Sequence, residues 1–273
     1  MTRGYRVQVL GRINAFASRA SILALVFTCA GSPSPEARTA RRGDSRGAQD
    51  FDVFAHDEPM DDPRDARDPL PVVRPSLDGV DGRAIANLEP SECLRQLRQR
   101  SVPFERARHD AAPAGVIPNG PIEGVEVQFT GRRRQGAILD CRLVLAIAAW
   151  APALRAIGVR RIRHLSGLRP GAVVATTGRP SGHRHGYAFD PRFFEFDDGS
   201  SFDVLEDWED RTRGAALCEA KQEGPRTAAI RQVVCDAIDA AIFQVVVSPH
   251  HNDAHQNHLH LEIVPGARWS WAG

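Results

Sequence analysis

The stretch ILDCRLVLAIAAWAPALRAIGVRRIRHLSG, residues 138–167, decides the fold because it joins two different kinds of element. Its first part, residues 138–158, is apolar over a length that suits a helix and exceeds that of a strand. We expect that helix to bend at Pro152, which lacks a backbone N–H, and to end at Gly158. The second part, VRRIRHLSG, predicts a strand. The chain therefore combines helices and strands within one short region.

Further strands and helices alternate irregularly on both sides of this stretch. GVEVQFTG alternates apolar and polar residues, which is typical of a strand, and FDDGSSFDV resembles a hairpin turn. A hairpin favours antiparallel pairing, so we predict an α+β fold class: a small antiparallel sheet with flanking helices in a single domain over residues 85–265. Residues 266–273 are expected to form a C-terminal tail. The other expected elements are a helix at 225–243 and strands at 187–196, 244–249 and 258–264.

The composition is that of an ordinary globular protein and does not indicate nucleic-acid binding. Hydrophobic residues make up 42% and charged residues 25% of the chain, as in ordinary globular proteins. The formal net charge of +1 gives no indication of nucleic-acid binding, so no nucleic-acid partner is predicted.

The N-terminal region has the pattern of an export signal. Arginines precede the apolar run ILALVFTCA, which is too short to span a bilayer and suits a secretory signal cleaved after Ala30. The alternative is a membrane anchor through a lipidated Cys29, although VFTC departs from the usual lipidation pattern. Residues 31–84 are rich in proline, glycine and mixed charge and predict a disordered linker. We expect an exported protein of the periplasm or cell envelope, either secreted or a lipoprotein.

Four cysteines follow the predicted signal segment (1–30). An even number in an oxidising compartment indicates two disulfides, for which three connectivities exist. The preferred pairing joins Cys93 to Cys141 and Cys218 to Cys235, because it links neighbouring elements. Cysteine ligands for zinc are less favoured, since the chain contains no Cys-x-x-Cys spacing.

Histidines crowd near the C-terminus, in SPHHNDAHQNHLHLEIVP at residues 248–265. On a strand, His258 and His260 would point to one side while the intervening leucine points to the core. By itself a His-x-His pair is more often an exposed edge strand than a site. A second stretch, SGHRHGYAFD at 181–190, adds His183 and Asp190 around a loop of small residues. Two imidazoles and a carboxylate, from His183, Asp190 and His260, would leave a fourth position for water, as in a catalytic Zn²⁺ site, with His258 or His255 as the base.

The earlier stretch fits the pattern Ser-x-His-x-x-Gly-x-Ala-x-Asp in full. Together with the late His-x-His, it resembles the zinc peptidases that include D-Ala-D-Ala carboxypeptidases and murein endopeptidases. It is most similar to the bacterial extensin-like C-terminal domain family, whose late motif of the form His-x-x-x-x-His-x-His is matched here. The resemblance covers about residues 88–265. The matching positions are Ser181, His183, Gly186, Ala188, Asp190, His255, His258 and His260.

The resemblance implies specific roles for these residues. It implies Zn²⁺ ligands at His183, Asp190 and His260, a general base at His258 and an assisting role for His255. Arg169, in SGLRP, would stabilise an oxyanion or bind a substrate carboxylate; a surface turn residue is the open alternative.

The chain departs from its relatives at two positions. The family usually has a cysteine before the arginine, where Leu168 stands here. Cys218 could supply that missing half-cystine, which leaves the disulfide pairing open. Dipeptidase-like relatives have a glutamate where this chain has Asn257, so a carboxylate base at that point is excluded.

The predicted function is that of an exported Zn²⁺-dependent peptidase. It would hydrolyse amide bonds of peptidoglycan stem peptides or cross-links, so the predicted partner is peptidoglycan or a cell-wall peptide. The alternative is a non-catalytic, zinc-containing wall-binding module. An iron oxygenase also uses two histidines and one carboxylate, but such sites usually begin with His-x-Asp, and His183 and Asp190 lie farther apart.

Overall fold

The computed structural model describes residues 77, 79–209, 211–219 and 223–273. The predicted signal segment (1–30), with Cys29, lies outside the described residues, as does most of the predicted linker (31–84). Among the described helices, none is long and apolar enough to cross a membrane.

The described residues contain five helices, and one of them is the centre of the core. They are α1 (Gly82–Ala86), α2 (Pro90–Gln99), α3 (Cys141–Ala156), α4 (Val204–Asp207) and α5 (Pro225–Asp239). Most side chains of α3 are buried, because nearly every position is apolar and the helix is covered on all sides. Pro152 lies inside this helix, and Gly158 follows it with a positive φ of 81°.

Eleven strands form three small sheets among the described residues. They are β1 (Phe104–Arg106), β2 (Gly115–Pro118), β3 (Glu126–Phe129), β4 (Leu139–Asp140), β5 (Val159–His164), β6 (Ala188–Phe189), β7 (Pro191–Phe196), β8 (Ser201–Asp203), β9 (Val245–Val247), β10 (His260–Glu262) and β11 (Trp271–Ala272). The strand orders are β1-β2-β4, β3-β5-β7-β8 and β11-β9-β10-β6. All pairs are antiparallel except β3–β5 and β9–β11. The predicted α+β class is confirmed.

The core packs α3 between its neighbours. The Trp150 ring of α3 donates a hydrogen bond to the carbonyl of Val233 in α5 at 2.8 Å, and it lies edge-on to Phe243 with ring centroids 5.5 Å apart. Burial of the indole is therefore accompanied by satisfaction of its polar N–H.

Both preferred disulfides are present. Cys93 of α2 is bonded to Cys141 at the start of α3, with 6.0 Å between the two Cα atoms. Cys218 is bonded to Cys235 of α5, with 5.7 Å between the Cα atoms. The pairing that joins Cys218 to another partner is thereby excluded. Two disulfides fit an extracellular protein.

The strand predicted over residues 187–196 is divided into β6 and β7, which belong to different sheets. The division falls at Asp190, whose N–H donates to the carbonyl of Ser166 (3.1 Å) and whose carbonyl accepts from Leu165 N–H (2.9 Å). Pro191, which has no N–H, is the first residue of β7, a position in a strand where proline is tolerated. Asp190 therefore sits at the junction of the two four-stranded sheets.

Two strand boundaries near the C-terminus also differ from the expectation. The predicted strand at 258–264 shortens to β10, so His258 lies in the bend before the strand. Residues 266–273, expected to be a tail, include β11, which pairs in parallel with β9. Pairing with the exposed side of β9 satisfies backbone groups that an edge strand would otherwise expose.

Candidate metal centre

His183 is positioned by a single tight turn. The turn is a 3-10 helix, Gly182–His185, and the hydroxyl oxygen of Ser181 accepts a hydrogen bond from His183 N–H at 3.4 Å. Gly186 ends the turn with a φ of 74°, a left-handed conformation that glycine adopts without strain. The small residues of the motif thus fix the backbone that presents His183.

Asp190 and His260 are brought together by strand pairing. β10 pairs antiparallel with β6, so that Leu261 lies opposite Phe189. His260 precedes Leu261 and Asp190 follows Phe189, which places both side chains at the same end of the pair. Leu259 and Leu261 are fully buried on the opposite side, as the alternation of a strand requires.

Three side-chain atoms from these residues converge on one point. His183 Nε2 lies 2.9 Å from Asp190 Oδ1 and 3.1 Å from His260 Nδ1, and His260 Nδ1 lies 3.1 Å from Asp190 Oδ1. All three residues are buried. Separations of this size match neighbouring donor atoms around one metal ion with bonds of about 2 Å. Among the described residues, these three form a group that could hold a metal ion.

The outer nitrogens of both imidazoles are occupied. His183 Nδ1 donates to the carbonyl of Gly167 at 2.8 Å, and His260 Nε2 donates to Glu262 Oε2 at 2.9 Å. These bonds leave the lone pairs of His183 Nε2 and His260 Nδ1 directed at Asp190 Oδ1. Three electron-rich atoms in contact repel one another unless a cation lies among them. The donor set therefore fits a metal ion.

Without a metal ion, protons take over that role. Burial disfavours the Asp190 carboxylate, but the His183 and His260 imidazoles outweigh burial and hold the pKa of Asp190 well below its usual value. Burial likewise opposes the charge on His260, but hydrogen bonds to Asp190 and Glu262 raise its pKa to about 9. Both shifts have the same cause, the attraction between the Asp190 carboxylate and the imidazoles beside it.

His258 faces the cluster from the loop before β10. Its Nε2 lies 3.8 Å from Asp190 Oδ1, and its Nδ1 donates to Asn257 Oδ1 at 2.7 Å. That hydrogen bond keeps the Nε2 lone pair free and aimed at the cluster. Burial lowers the pKa of His258. The neighbouring Asp190 carboxylate raises this pKa, whereas the charges of His260, His183 and Arg169 lower it further.

His255 forms an outer layer behind His258. Its ring centroid is 5.2 Å from that of His258 and 5.9 Å from that of His260. Its Nδ1 donates to Asn252 Oδ1 at 2.7 Å, and burial lowers its pKa to about 4. His255 therefore remains neutral near the cluster and does not contact Asp190 directly.

Arg169 lies at the edge of the centre. Its backbone N–H donates to the carbonyl of His183 at 2.8 Å, while its side chain is exposed. Its charge contributes to lowering the pKa of His258. The structure thus places all six predicted site residues in one neighbourhood, with three in mutual contact and three around them.

The remaining histidines of the two stretches lie elsewhere. His185 donates to the carbonyl of Ala111, His250 is buried beside Ser248, and His251 packs edge-on against Trp271. The sequence did not single out Gly167 or Asn257 as orienting residues. Asn257 directly precedes His258, so its amide could have been recognised from the sequence as a group that fixes the His258 tautomer. Gly167 acts through its backbone carbonyl, which every residue has, so the sequence gives no signal for it.

Fold and site together define a disulfide-linked α+β domain with a candidate His₂Asp metal centre. A family model described as "Extensin-like protein C-terminus" matches residues 91–271, and the chain belongs to that extensin-like C-terminal family. No curated protein and no solved structure matches the chain.

Proposed function

We propose that this protein is an exported, Zn²⁺-dependent peptidase that hydrolyses amide bonds in peptidoglycan stem peptides or cross-links. The observation that carries the proposal is the convergence of His183 Nε2, Asp190 Oδ1 and His260 Nδ1 beside a fourth imidazole with a free Nε2. Three protein ligands and one open position distinguish catalytic from structural zinc sites.

The donor set supports zinc as the metal. Two imidazoles and one carboxylate suit Zn²⁺. A Zn²⁺ ion held there would lower the pKa of a bound water to about 7 and polarise the carbonyl of the scissile amide. His183 and His260 are held rigidly by Gly167 and Glu262, which favours one coordination geometry.

His258 is the proposed general base and acid. Asn257 fixes its Nδ1 as the donor, so Nε2 can accept a proton from the attacking water and return it to the leaving amine. His255, packed against His258, supports the ring and limits the access of bulk water. Arg169 is the proposed partner for negative charge on the substrate or the developing oxyanion.

The assignment of peptidoglycan as the substrate rests on two supports. One is the resemblance of the motifs to zinc peptidases of D-Ala-D-Ala and murein substrates. The other is the export signal expected in residues 1–30, with which two disulfides agree.

The test compares metal content and hydrolysis in the full-length chain and three variants. We expect about one zinc per chain in the wild type and in His258→Ala, and none in His260→Ala. Digestion of purified muropeptides should be abolished by a chelator and restored by zinc. His258→Ala should slow it about 10²- to 10⁴-fold, the usual contribution of a general base. His185→Ala, outside the cluster, is the matched control and should digest at the wild-type rate.

Each outcome has a distinct meaning. Stoichiometric zinc in His260→Ala would refute the ligand assignment. If the protein contains zinc but digests no muropeptide, and His258→Ala binds the wall as the wild type does, the peptidase proposal is wrong. The protein would then be a zinc-containing wall-binding module.

A further inference from the structure

The loop that carries His255 and His258 is held from outside by a neighbouring segment. We call residues 248–259, which join β9 to β10, the histidine loop, and residues 211–218 the clamp segment. The histidine loop contains none of the three candidate metal ligands. A change in its position would therefore move the two supporting imidazoles and leave the ligands where they are.

Two arginines of the clamp segment bind the histidine loop. Arg211 Nη1 donates to the carbonyl of Gln256 at 2.6 Å. Arg213 Nη1 donates to the carbonyl of His250 at 3.3 Å, and its Nη2 atom pairs with Asp253. These contacts are spread along the loop, so they fix its backbone at several points.

Further hydrogen bonds connect the same two segments to the domain. His250 Nε2 donates to the carbonyl of Ala215 at 2.9 Å. Arg211 also donates through Nε to the carbonyl of Trp208 (3.0 Å) and through Nη2 to that of Val204 (2.7 Å). Because a guanidinium has five N–H donors in one rigid plane, this single side chain joins the histidine loop to α4 and the residue after it.

The far end of the clamp segment is tied to α5 by two bonds. Cys218 is bonded to Cys235 of α5, and the carbonyl of Leu217 accepts from Arg231 Nη1 at 2.7 Å. The disulfide is the stronger tie, because a hydrogen bond lost on opening is replaced by one to water, whereas a covalent bond is not.

The two disulfides of the domain differ in exposure. Cys93 and Cys141 are both 0% exposed and lie in the core. Cys235 is 6% exposed, but its partner Cys218 lies at the surface. Thiol–disulfide exchange requires a thiolate to reach a sulfur atom, so a reductant can approach the second disulfide from the Cys218 side.

We propose that the Cys218–Cys235 disulfide is a redox-sensitive clamp on the histidine loop. A dithiol reductant breaks the S–S bond; two electrons and two protons convert it into two thiols, and the dithiol becomes a disulfide. The clamp segment then separates from α5 and the histidine loop moves away from the metal centre. The metal ligands stay in place, because the pairing of β10 with β6 and β9 and the turn at Gly182–His185 hold them.

The consequence for catalysis rests on the proposed function. His258 is the proposed base and lies on the histidine loop, so reduction should slow hydrolysis without removing zinc. The release of the loop itself depends only on the contacts of the clamp segment, and it can be measured in a protein without activity.

The first experiment compares how fast the two disulfides are reduced. Free thiols of the full-length, metal-free chain are blocked, dithiothreitol is added, and newly formed thiols are alkylated and identified by mass spectrometry. We expect Cys218 and Cys235 to be alkylated at least about tenfold faster than Cys93 and Cys141, because access limits the exchange. Equal rates, or earlier reduction of the core disulfide, would overturn the proposal.

The second experiment measures hydrogen exchange of the backbone amides in the histidine loop. In the double variant Cys218→Ser/Cys235→Ser, we expect exchange there to be at least about tenfold faster than in the wild type, because the loss of the cross-link makes local opening easier. Circular dichroism checks that the variant is folded. A globally unfolded variant would overturn the proposal, because the disulfide would then hold the whole domain.

A variant with the disulfide intact tests the clamp by a second route. Arg213→Gln should also speed exchange in the histidine loop severalfold. Arg155→Gln is the matched control: this arginine likewise donates to a carbonyl, that of Val159, and to a carboxylate, that of Asp197, but not to the histidine loop. It should leave exchange in the loop unchanged. Wild-type exchange in both Arg213→Gln and the double cysteine variant would overturn the proposal.

Zinc content and muropeptide digestion of the same variants separate the two proposals. We expect one zinc per chain and digestion slowed severalfold in the double cysteine variant. Digestion at the wild-type rate despite faster exchange would show that the clamp does not act on the site, and would overturn the proposal. Faster exchange in variants of a chain that digests no muropeptide would retain the clamp and refute the peptidase.

Discussion

Among the described residues, two buried clusters of charged side chains can be compared, and they are built in different ways. In the first, Arg231 of α5 meets Glu223, and both side chains are almost fully buried. Arg231 Nε donates to Glu223 Oε2 at 2.9 Å, its Nη1 donates to the carbonyl of Leu217 at 2.7 Å, and the guanidinium lies 4.6 Å from the ring centroid of Trp208. In the second, His183, Asp190 and His260 direct acceptor atoms at one another.

The difference separates a cluster that is balanced by itself from one that could hold a metal ion. Every donor group described for Arg231 faces an acceptor or an aromatic ring, so charge and hydrogen bonds balance within the cluster. The His183–Asp190–His260 cluster balances only when a proton or a metal ion is added. Burial of charge is therefore not sufficient to identify a site; the unbalanced direction of the lone pairs is the informative feature.

The largest effect is expected from breaking the balanced cluster. Arg231→Met leaves Glu223 buried without a partner and should lower the free energy of unfolding by about 3–5 kcal/mol, as for other broken buried pairs. Denaturant unfolding in the presence of a chelator measures this.

The matched double variant sharpens that result. Arg231→Met combined with Glu223→Leu removes both charges and should recover most of the loss, because no unpaired charge stays buried. Both variants should still bind one zinc per chain, since the cluster is separate from the metal centre. Loss of zinc in the folded double variant would show that the two clusters depend on each other.

His164 provides a third case, a buried ionisable group that belongs to neither cluster. It lies at the end of β5 between the rings of Phe129 and Phe189, and burial lowers its pKa to about 4. The unfolded chain, with a pKa of about 6.5, takes up the proton first as the pH falls. His164 therefore contributes stability that is fully present above pH 6.5 and is lost as the pH falls towards 4, in total about 3 kcal/mol.

The variant His164→Leu isolates this contribution. With a chelator present, unfolding free energies between pH 7 and 4 should fall more steeply in the wild type than in His164→Leu. Parallel curves over that interval would mean that His164 becomes protonated in the folded state without cost.

The sequence predicted the fold well where local pattern and burial agree. The apolar run of α3 and the alternation of β3 each appear in the structure close to the expected residues. The division between β6 and β7 was missed because it depends on a tertiary contact, the pairing of Asp190 with the segment after β5. Such long-range backbone bonds override a continuous strand pattern.

The site was predictable to the extent that a motif encodes it. The spacing of His183, Asp190 and His260 led to the three residues that the structure brings into contact. It did not show that His258 would lie off the strand, since a bend and a strand differ little in so short a segment.

The smallest effect, and the sharpest test of the metal centre, concerns Glu262 and Gly182. Glu262 fixes the orientation of His260, so Glu262→Ala should weaken zinc binding about 10- to 100-fold, the usual effect of such supporting residues. A Cβ at Gly182 would lie 2.4 Å from the Glu262 Cδ atom, so Gly182→Ala would displace that carboxylate. We expect this variant to weaken zinc binding by about tenfold or less. Competition with a chromophoric chelator measures the zinc affinity of both variants, and Glu126→Gln on β3 is the control with unchanged affinity.

Because Gly182→Ala acts through Glu262, it should have no further effect on zinc affinity in the Glu262→Ala background. Additive losses would contradict this, and would mean that Gly182 shapes the His183 turn directly.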